Sequence, residues 1–193
     1  MGSELRELLP PEGPVLVVGL GNRAMTPDAV GPLAADSVLI TRHLLSAMPK
    51  QFAGFRPVSA FRTGVLGTTG VESAEAVRGL VAEVQPAMVL AIDALASRRC
   101  GRVCATVQLS DTGIIPGSGV GNRRSALDRG TLGVPVIAVG IPTVVDADPR
   151  AGLFLTPRDI DQRIRELGRL LGYGITLALQ PSLTAADVTA LLG

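Results

Sequence analysis

The segment Val15–Leu20 constrains the fold more than any other part of the chain. Its sequence, VLVVGL, contains no polar side chain. A continuous apolar run of this length is typical of a strand whose two faces are both covered by other elements. Four further short runs with strand-like composition predict a sheet of at least five strands. They cover residues 56–61, 87–92, 103–109 and 134–141.

Helical patterns lie between several of the predicted strands. They cover residues 27–47, 71–84 and 157–179, and a short last helix follows Thr184. In the first of them, Thr26 is placed to be the N-cap, Pro27 suits the first helical position, and Asp28 favours the positive end of the helix dipole. Strands that alternate with helices predict a mostly parallel α/β sheet. With 193 residues, the chain is long enough for one domain, and we expect residues 1–193 to form it.

Composition excludes several classes of function. The formal net charge is only +1, so the chain has no general attraction for nucleic acids or acidic membranes. No signal peptide is visible, and no apolar run approaches the ~20 residues that span a bilayer, so we expect a cytoplasmic protein. Cys100 and Cys104 form neither a disulfide framework nor a zinc site. The single histidine, His43, lies in a helical pattern, which leaves carboxylates as the best groups for acid–base chemistry.

Two aspartates follow predicted strands where ligands bind in open α/β sheets. Asp28 comes after the first strand and Asp93 ends the third. If these strands are neighbours, both carboxylates face one crevice, where they can share a proton. One could then activate water while the other donates a proton. From spacing alone, structural roles are favoured: Asp28 as a helix cap and Asp93 as an acceptor for loop amides. A dinucleotide site is weaker still, because the Gly19-Leu20-Gly21 turn lacks the third glycine of that fingerprint.

A long polar segment, residues 110–133, separates the last two predicted strands. It contains the triplet Asp111-Thr112-Gly113 and then the sequence PGSGVGNRR, which ends at Arg124. The triplet is a weak signal, since the all-β fold of pepsin-like proteases does not fit this chain. Glycines in the second motif allow backbone amides to converge on an anion, and its arginines could bind a carboxylate. A flexible loop with solvated arginines explains the same residues equally well.

The order of several long motifs resembles the germination protease family of spore-forming bacteria. The motifs are GLGNRAMTPDAVGP, TGVLGTTGVES, AIDALASR, DTGIIPGSGVGNRR, LGVPVIAVGIPTVVDA, LFLTPRDIDQRI and LTAADVTALLG. The resemblance implies a three-layer α/β/α fold of the phosphorylase/hydrolase-like type, related to hydrogenase maturation proteases. It also implies an atypical aspartic-type endopeptidase that degrades small acid-soluble spore proteins during germination. The two catalytic aspartates of the family match Asp28 and Asp93, which reverses the preference for structural roles.

The resemblance extends to partners and location. It implies a protein substrate, no cofactor, no metal, no direct binding of nucleic acid and no membrane, with a location in the forespore or spore core. It leaves a homo-oligomer open. We expect loop 110–124 to shape the substrate cleft and to be more mobile than the sheet. The residues expected to bind substrate are Asn22, Ser118, Asn122, Arg123 and Arg124.

Two departures from the family pattern keep alternatives open. The chain begins close to the first core strand, and after TVVDA it has only a few residues before LFLTP. We therefore expect a short member in which the family's propeptide control and tetramer contacts are absent. The alternatives are a metal-sensing protease of the hydrogenase-maturation type and a catalytically inactive binding module of the same fold.

Overall fold

The computed structural model describes residues 2–118, 124–148 and 150–193, which form one sheet with helices on both faces. The strands are β1 (Val15–Leu20), β2 (Val58–Gly64), β3 (Met88–Ser97), β4 (Gln108–Ser110), β5 (Val136–Asp148) and β6 (Leu153–Leu155). The helices are α1 (Gly2–Leu8), α2 (Val30–Asp36), α3 (Arg42–Ala47), α4 (Leu66–Thr69), α5 (Ser73–Val84), α6 (Arg129–Leu132), α7 (Ile160–Leu179) and α8 (Ala185–Leu192). Two 3-10 turns lie at Thr26–Asp28 and Cys100–Arg102.

The sheet is mostly parallel, as the sequence predicted. Its strand order is β2-β1-β3-β5-β4, and β6 pairs with the far end of β5. The pairs β1–β2, β1–β3 and β3–β5 are parallel, whereas the short strands β4 and β6 run antiparallel to β5. The register of β1 on β3 runs from Val15 opposite Met88 to Gly19 opposite Ile92. The first and third predicted strands are therefore neighbours, which is the condition under which both aspartates can face one crevice.

Two hydrophobic cores make this a three-layer α/β/α domain. All six residues of β1 are buried, and alternate side chains of a strand point to opposite faces of the sheet. Val15 and Val17 join the core beneath α2 and α7, while Leu16, Val18 and Leu20 join the core beneath α5 and α6. The prediction of a sheet covered on both faces is confirmed.

The predicted helix over residues 27–47 is wrong as a single element. Helix α2 ends at Asp36 and α3 begins only at Arg42. Between them, backbone N–H groups form hydrogen bonds to other elements of the fold. The Leu39 N–H donates to Thr176 Oγ1 of α7, and the Thr41 N–H donates to the Val58 carbonyl of β2. These tertiary hydrogen bonds replace the i→i−4 bonds that a continuous helix would need.

Thr26 is not a helix N-cap. Its hydroxyl donates instead to Asp161 Oδ1 in the first turn of α7, over 2.7 Å. The 3-10 turn that contains it has no side-chain cap at all. The prediction that the last helix follows Thr184 is confirmed, and Thr184 and Asp187 form a reciprocal capping box at the start of α8.

The predicted strand over residues 103–109 is also wrong over most of its length. A 3-10 turn occupies Cys100–Arg102, and Cys104 has a positive φ of 55° while its N–H donates to the Pro142 carbonyl. Only the last residues pair with β5, as the antiparallel strand β4. The 110–133 segment, expected to lack regular structure, contains a bridge between Ile114 and Leu127 followed by α6.

The remaining elements differ from prediction mainly at their ends. Helices α5 and α7 begin two or three residues later than predicted, because Glu72 and Asp159 occupy the N-cap positions. The N-terminal helix α1, which the polar composition did not predict, buries Leu5 and packs against α7. Among the described helices, none combines the length and apolar character required to cross a bilayer.

Candidate active site

A cavity of about 500 Å³ opens at the carboxyl ends of β1 and β3. Asp28 and Asp93 both line it, together with residues that follow β2 and residues of the 110–124 loop. This is the position at which open α/β sheets bind ligands. The structure therefore brings the two sequence-predicted aspartates into one site.

A sharp turn after β1 fixes Asp28 at the cavity. Gly21 has a φ of 113°, and a Cβ atom there would overlap the Asp28 carbonyl oxygen and lie 2.9 Å from its Oδ1. Glycine alone permits this approach, because any other side chain would be both strained and obstructed. The Asn22 N–H then donates to Asp28 Oδ2 over 2.6 Å. Asp28 accepts a turn amide and does not cap α2, whose N-cap is Ala29 without a side-chain bond.

Helix α7 supports the same turn from outside. The bond from Thr26 to Asp161 joins residues that are 135 positions apart in the chain. Because Thr26 begins the 3-10 turn that ends at Asp28, this contact limits how far the catalytic candidate can move. The position of Asp28 thus depends on the last long helix as well as on β1.

Asp93 lies deeper than Asp28, with only 5% of its surface exposed. Its Oδ1 accepts the Ala94 N–H over 2.9 Å, and the Gly117 amide also contributes a hydrogen bond. Burial and the nearby charge of Asp28 outweigh both bonds and raise the pKa of Asp93 to about 7. A carboxyl group in this state keeps its proton through the acidic range and loses it around neutral pH.

Asp28 is more exposed and has a cation nearby. Burial raises the pKa of Asp28, whereas the Asn22 amide and the positive charge of Arg124 lower it. Because the two carboxyls titrate as a pair, we expect the first proton to leave from Asp28 and the second to remain on Asp93. The site can therefore hold one carboxylate and one carboxylic acid at the same time.

Arg124 connects this pair to the outer wall of the cavity. Its guanidinium lies 3.7 Å from Glu72, and both side chains are partly exposed. Glu72 belongs to the N-cap of α5, where it forms a capping box with Glu75. The sequence did not identify Glu72 as the ion-pair partner of Arg124, although Glu72 lies within the TGVLGTTGVES motif.

The predicted substrate-binding residues have different positions. Asn22 and Arg124 line the cavity, and Asn22 Oδ1 accepts the Ala24 N–H. Ser118 is exposed beside the cavity-lining Gly117 and uses its N–H to bond the Ile115 carbonyl. Asn122 and Arg123 lie outside the described residues. Substrate binding by all five residues stays a prediction.

Candidate metal ligands are sparse in the described part of the chain. Across residues 2–118, 124–148 and 150–193, no three His, Cys, Asp or Glu side chains cluster as metal ligands would. His43 is exposed on α3, and Cys100 and Cys104 are free thiols outside the set of cavity-lining residues.

The raised pKa of Asp93 predicts a pH-dependent cost in stability. An unfolded aspartate titrates near 4, so the folded chain loses stability as the pH rises from about 4 through about 7 and Asp93 must ionise in a buried site. We expect Asp93→Asn to remove this loss. The free energy of unfolding of the variant, relative to the natural chain, should rise by roughly 4 kcal/mol between pH 4 and pH 8.

Urea unfolding of both chains at a series of pH values measures this difference. Asp111→Asn changes an exposed aspartate and provides the matched control, which should follow the natural chain. Parallel stability curves for Asp93→Asn and the natural chain would contradict the prediction.

Comparisons with known proteins agree with the sequence motifs. A family model described as germination protease matches residues 8–151. The germination protease of Caldanaerobacter subterraneus subsp. tengcongensis is 42% identical, in an alignment that covers 98% of this chain and 73% of that protein. The germination protease of Bacillus mycoides is 47% identical over 92% of this chain, which spans 50% of the Bacillus protein.

A solved structure supports the fold. The crystal structure of the NiFe hydrogenase maturation protease HycI from Thermococcus kodakarensis KOD1 aligns with 89% of this chain and 98% of its own, with a TM-score of 0.52 at 20% sequence identity. That structural similarity shows a shared α/β fold. The sequence identity to the two germination proteases and the match of the family model show to which family the chain belongs. The chain belongs to the germination protease family.

Proposed function

We propose that this protein is an endopeptidase that hydrolyses small acid-soluble spore proteins during spore germination, with Asp28 and Asp93 activating water. The observation that carries the proposal is the pairing of two carboxyls in one cavity, where burial and mutual repulsion raise the pKa of Asp93 to about 7. Aspartic-type hydrolysis requires one ionised and one protonated carboxyl at the same time. Membership of the germination protease family supports a protein substrate, and small acid-soluble spore proteins are the substrate that the sequence resemblance implies.

In the proposed reaction, Asp28 is the general base. Its carboxylate takes a proton from a water molecule as the water oxygen bonds to the carbonyl carbon of the substrate peptide. Asp93, the general acid, donates its proton to the departing amide nitrogen as the C–N bond breaks. The products are a carboxylic acid and an amine. Asp28 then holds the proton taken from water, and its transfer to the Asp93 carboxylate restores the starting state.

The loop residues are proposed to bind the substrate. Arg124 pairs with Glu72 and its charge also acts on Asp28, so a glutamate side chain of the substrate could replace Glu72 as its partner. Arg123 could take the same role, and Asn22, Ser118 and Asn122 would contribute polar contacts at the cleft. We place this activity in the forespore or spore core, with no cofactor, and a homo-oligomer is compatible with it.

Incubation of the purified chain with a purified small acid-soluble spore protein tests the proposal. We expect cleavage at a few defined bonds, detected by mass spectrometry, with no loss of rate in the presence of a metal chelator. An intact substrate after prolonged incubation would favour the inactive binding module instead. Cleavage that stops on chelation and returns with added metal would favour a metal-dependent maturation protease.

A further inference from the structure

Strands β1 and β3 end at different points along the sheet. Their pairing stops at Gly19 opposite Ile92, and β1 itself ends at Leu20. Strand β3 continues to Ser97 and pairs with β5 along this extension, as far as Ser97 opposite Val145. In the part of the chain that the structure describes, the other edge of this extension pairs with no strand.

Backbone groups on this free edge face the cavity. The Val89 N–H donates to the Pro135 carbonyl at the start of β5, and backbone groups of a strand alternate between its two neighbours. Alternation directs the groups of Ala94 away from β5, towards the cavity that it lines. The register shift between Leu95 and Ala96 adds a residue, Thr143, to β5 and none to β3, so the same alternation extends to Ala96, which also lines the cavity. The Ala94 N–H is already bonded to Asp93 Oδ1. No strand among the described residues pairs with the Ala94 carbonyl or with the N–H and carbonyl of Ala96, so these groups require another partner or water.

The space beside this edge lies beyond the end of β1. Strands β2 and β3 are the two neighbours of β1, so where the three strands pair they lie two interstrand spacings apart, about 9.6 Å, and β2 ends at Gly64, opposite Leu20. Beyond Leu20 the chain turns away towards Asp28, while Gly64 and Val65 at the end of β2 form the opposite wall of the cavity. An extended peptide would therefore lie where a continuation of β1 would have been.

We infer that the enzyme binds its substrate by strand addition: an extended, unstructured segment of the substrate hydrogen-bonds to the β3 edge at Ala94 and Ala96. This inference rests on the proposed proteolytic function and names the backbone conformation that the site accepts. Main-chain bonds supply affinity in this mode and are independent of side-chain identity. Because Asp93 immediately precedes Ala94 and Asp28 shares the cavity, a peptide on this edge passes both carboxyls.

A scan of backbone N-methylation tests the inference. Short overlapping peptides from a small acid-soluble spore protein are titrated against the full chain carrying Asp28→Asn, by fluorescence anisotropy, and the tightest binder is methylated at one amide at a time. A residue added to a strand edge donates its N–H to that edge only at every second position. We expect methylation at alternate residues near the centre to weaken binding about ten-fold, and the intervening residues to change it less than about two-fold.

The intervening positions are the matched control, since they carry the same methyl group on the opposite edge of the peptide. Equal weakening at all positions, or at none, would overturn strand addition. Cleavage of the unmodified peptide by the natural chain is measured in parallel. Cleavage without the alternating pattern overturns this inference alone, whereas the alternating pattern without cleavage overturns the proposed proteolysis alone. If none of the peptides from the small acid-soluble spore protein is bound or cleaved, both the strand-addition inference and the proposed proteolysis are overturned.

Discussion

Replacing either Asp28 or Asp93 by Asn is expected to slow peptide-bond cleavage by roughly a thousand-fold or more while the fold remains intact. Asparagine keeps the size and hydrogen-bonding capacity of aspartate but cannot exchange a proton near neutral pH. Loss of one general acid or base typically costs ~10²–10⁴ in rate. Because each carboxyl has a different role in the proposed reaction, neither replaces the other.

Cleavage assays and thermal unfolding of both variants separate catalysis from structural support. The Asn22 N–H bonds the Asp28 side chain, and an asparagine oxygen can accept the same bond. A purely structural Asp28 would therefore tolerate the change at a cost below about 1 kcal/mol. Glu83→Gln, at an exposed position on α5 outside the cavity, should retain full activity. Retained cleavage in Asp28→Asn or Asp93→Asn would remove that residue from the mechanism.

Gly31→Ala is expected to destabilise the fold strongly. Gly31 lies in the first turn of α2, which packs against the ends of two central strands. A Cβ atom at this position would overlap the Leu20 carbonyl oxygen and lie 2.5 Å from that of Ile92. Both carbonyl oxygens belong to the backbone of the two central strands and cannot move aside as a side chain could. Helix α2 itself must therefore shift to accommodate the added methyl group. We expect the free energy of unfolding to fall by about 3 kcal/mol.

Gly79→Ala is the control for Gly31→Ala. Gly79 is exposed within α5, and a Cβ atom there would meet nothing within 4 Å. This change should raise stability by roughly 0.5–1 kcal/mol, because alanine is the better helix former. Urea unfolding of both variants measures the contrast. Equal effects at the two positions would show that helix propensity, and not the close approach to the sheet, decides the outcome at Gly31.

The apolar strands were the part of the fold that sequence patterns predicted best. β1 is buried on both faces, so its composition alone carries the signal, and β3 and β5 resemble it. The predictions failed where hydrogen bonds to distant residues decide the conformation. The break between α2 and α3 depends on contacts of Leu39 with Thr176, which are 137 positions apart, and no local pattern records such a contact.

The candidate site could likewise be predicted only in part. Asp28 follows the end of β1, whereas Asp93 lies within β3, which continues to Ser97 and does not end at Asp93 as the sequence predicted. Asp93 nevertheless directly follows the last residue of β3 that pairs with β1, so the strand pattern and the family motifs could still bring the two aspartates together. The free edge of β3 could not be predicted, because it depends on how far β1 and β3 extend relative to each other. The contact of Arg124 with Glu72 likewise depends on the path of a loop without a periodic pattern.

The bond between Thr26 and Asp161 has a consequence for the order in which the protein is completed during synthesis. Asp28 leaves the ribosome early, and all the parallel strands have been synthesised by residue 148. The turn that holds Asp28, however, gains its outer support only when the first turn of α7 has emerged and docked. The proposed protease should therefore acquire a fixed catalytic geometry only after the start of α7, 135 positions beyond Thr26, has been synthesised, so a nascent chain that stops short of α7 should lack it.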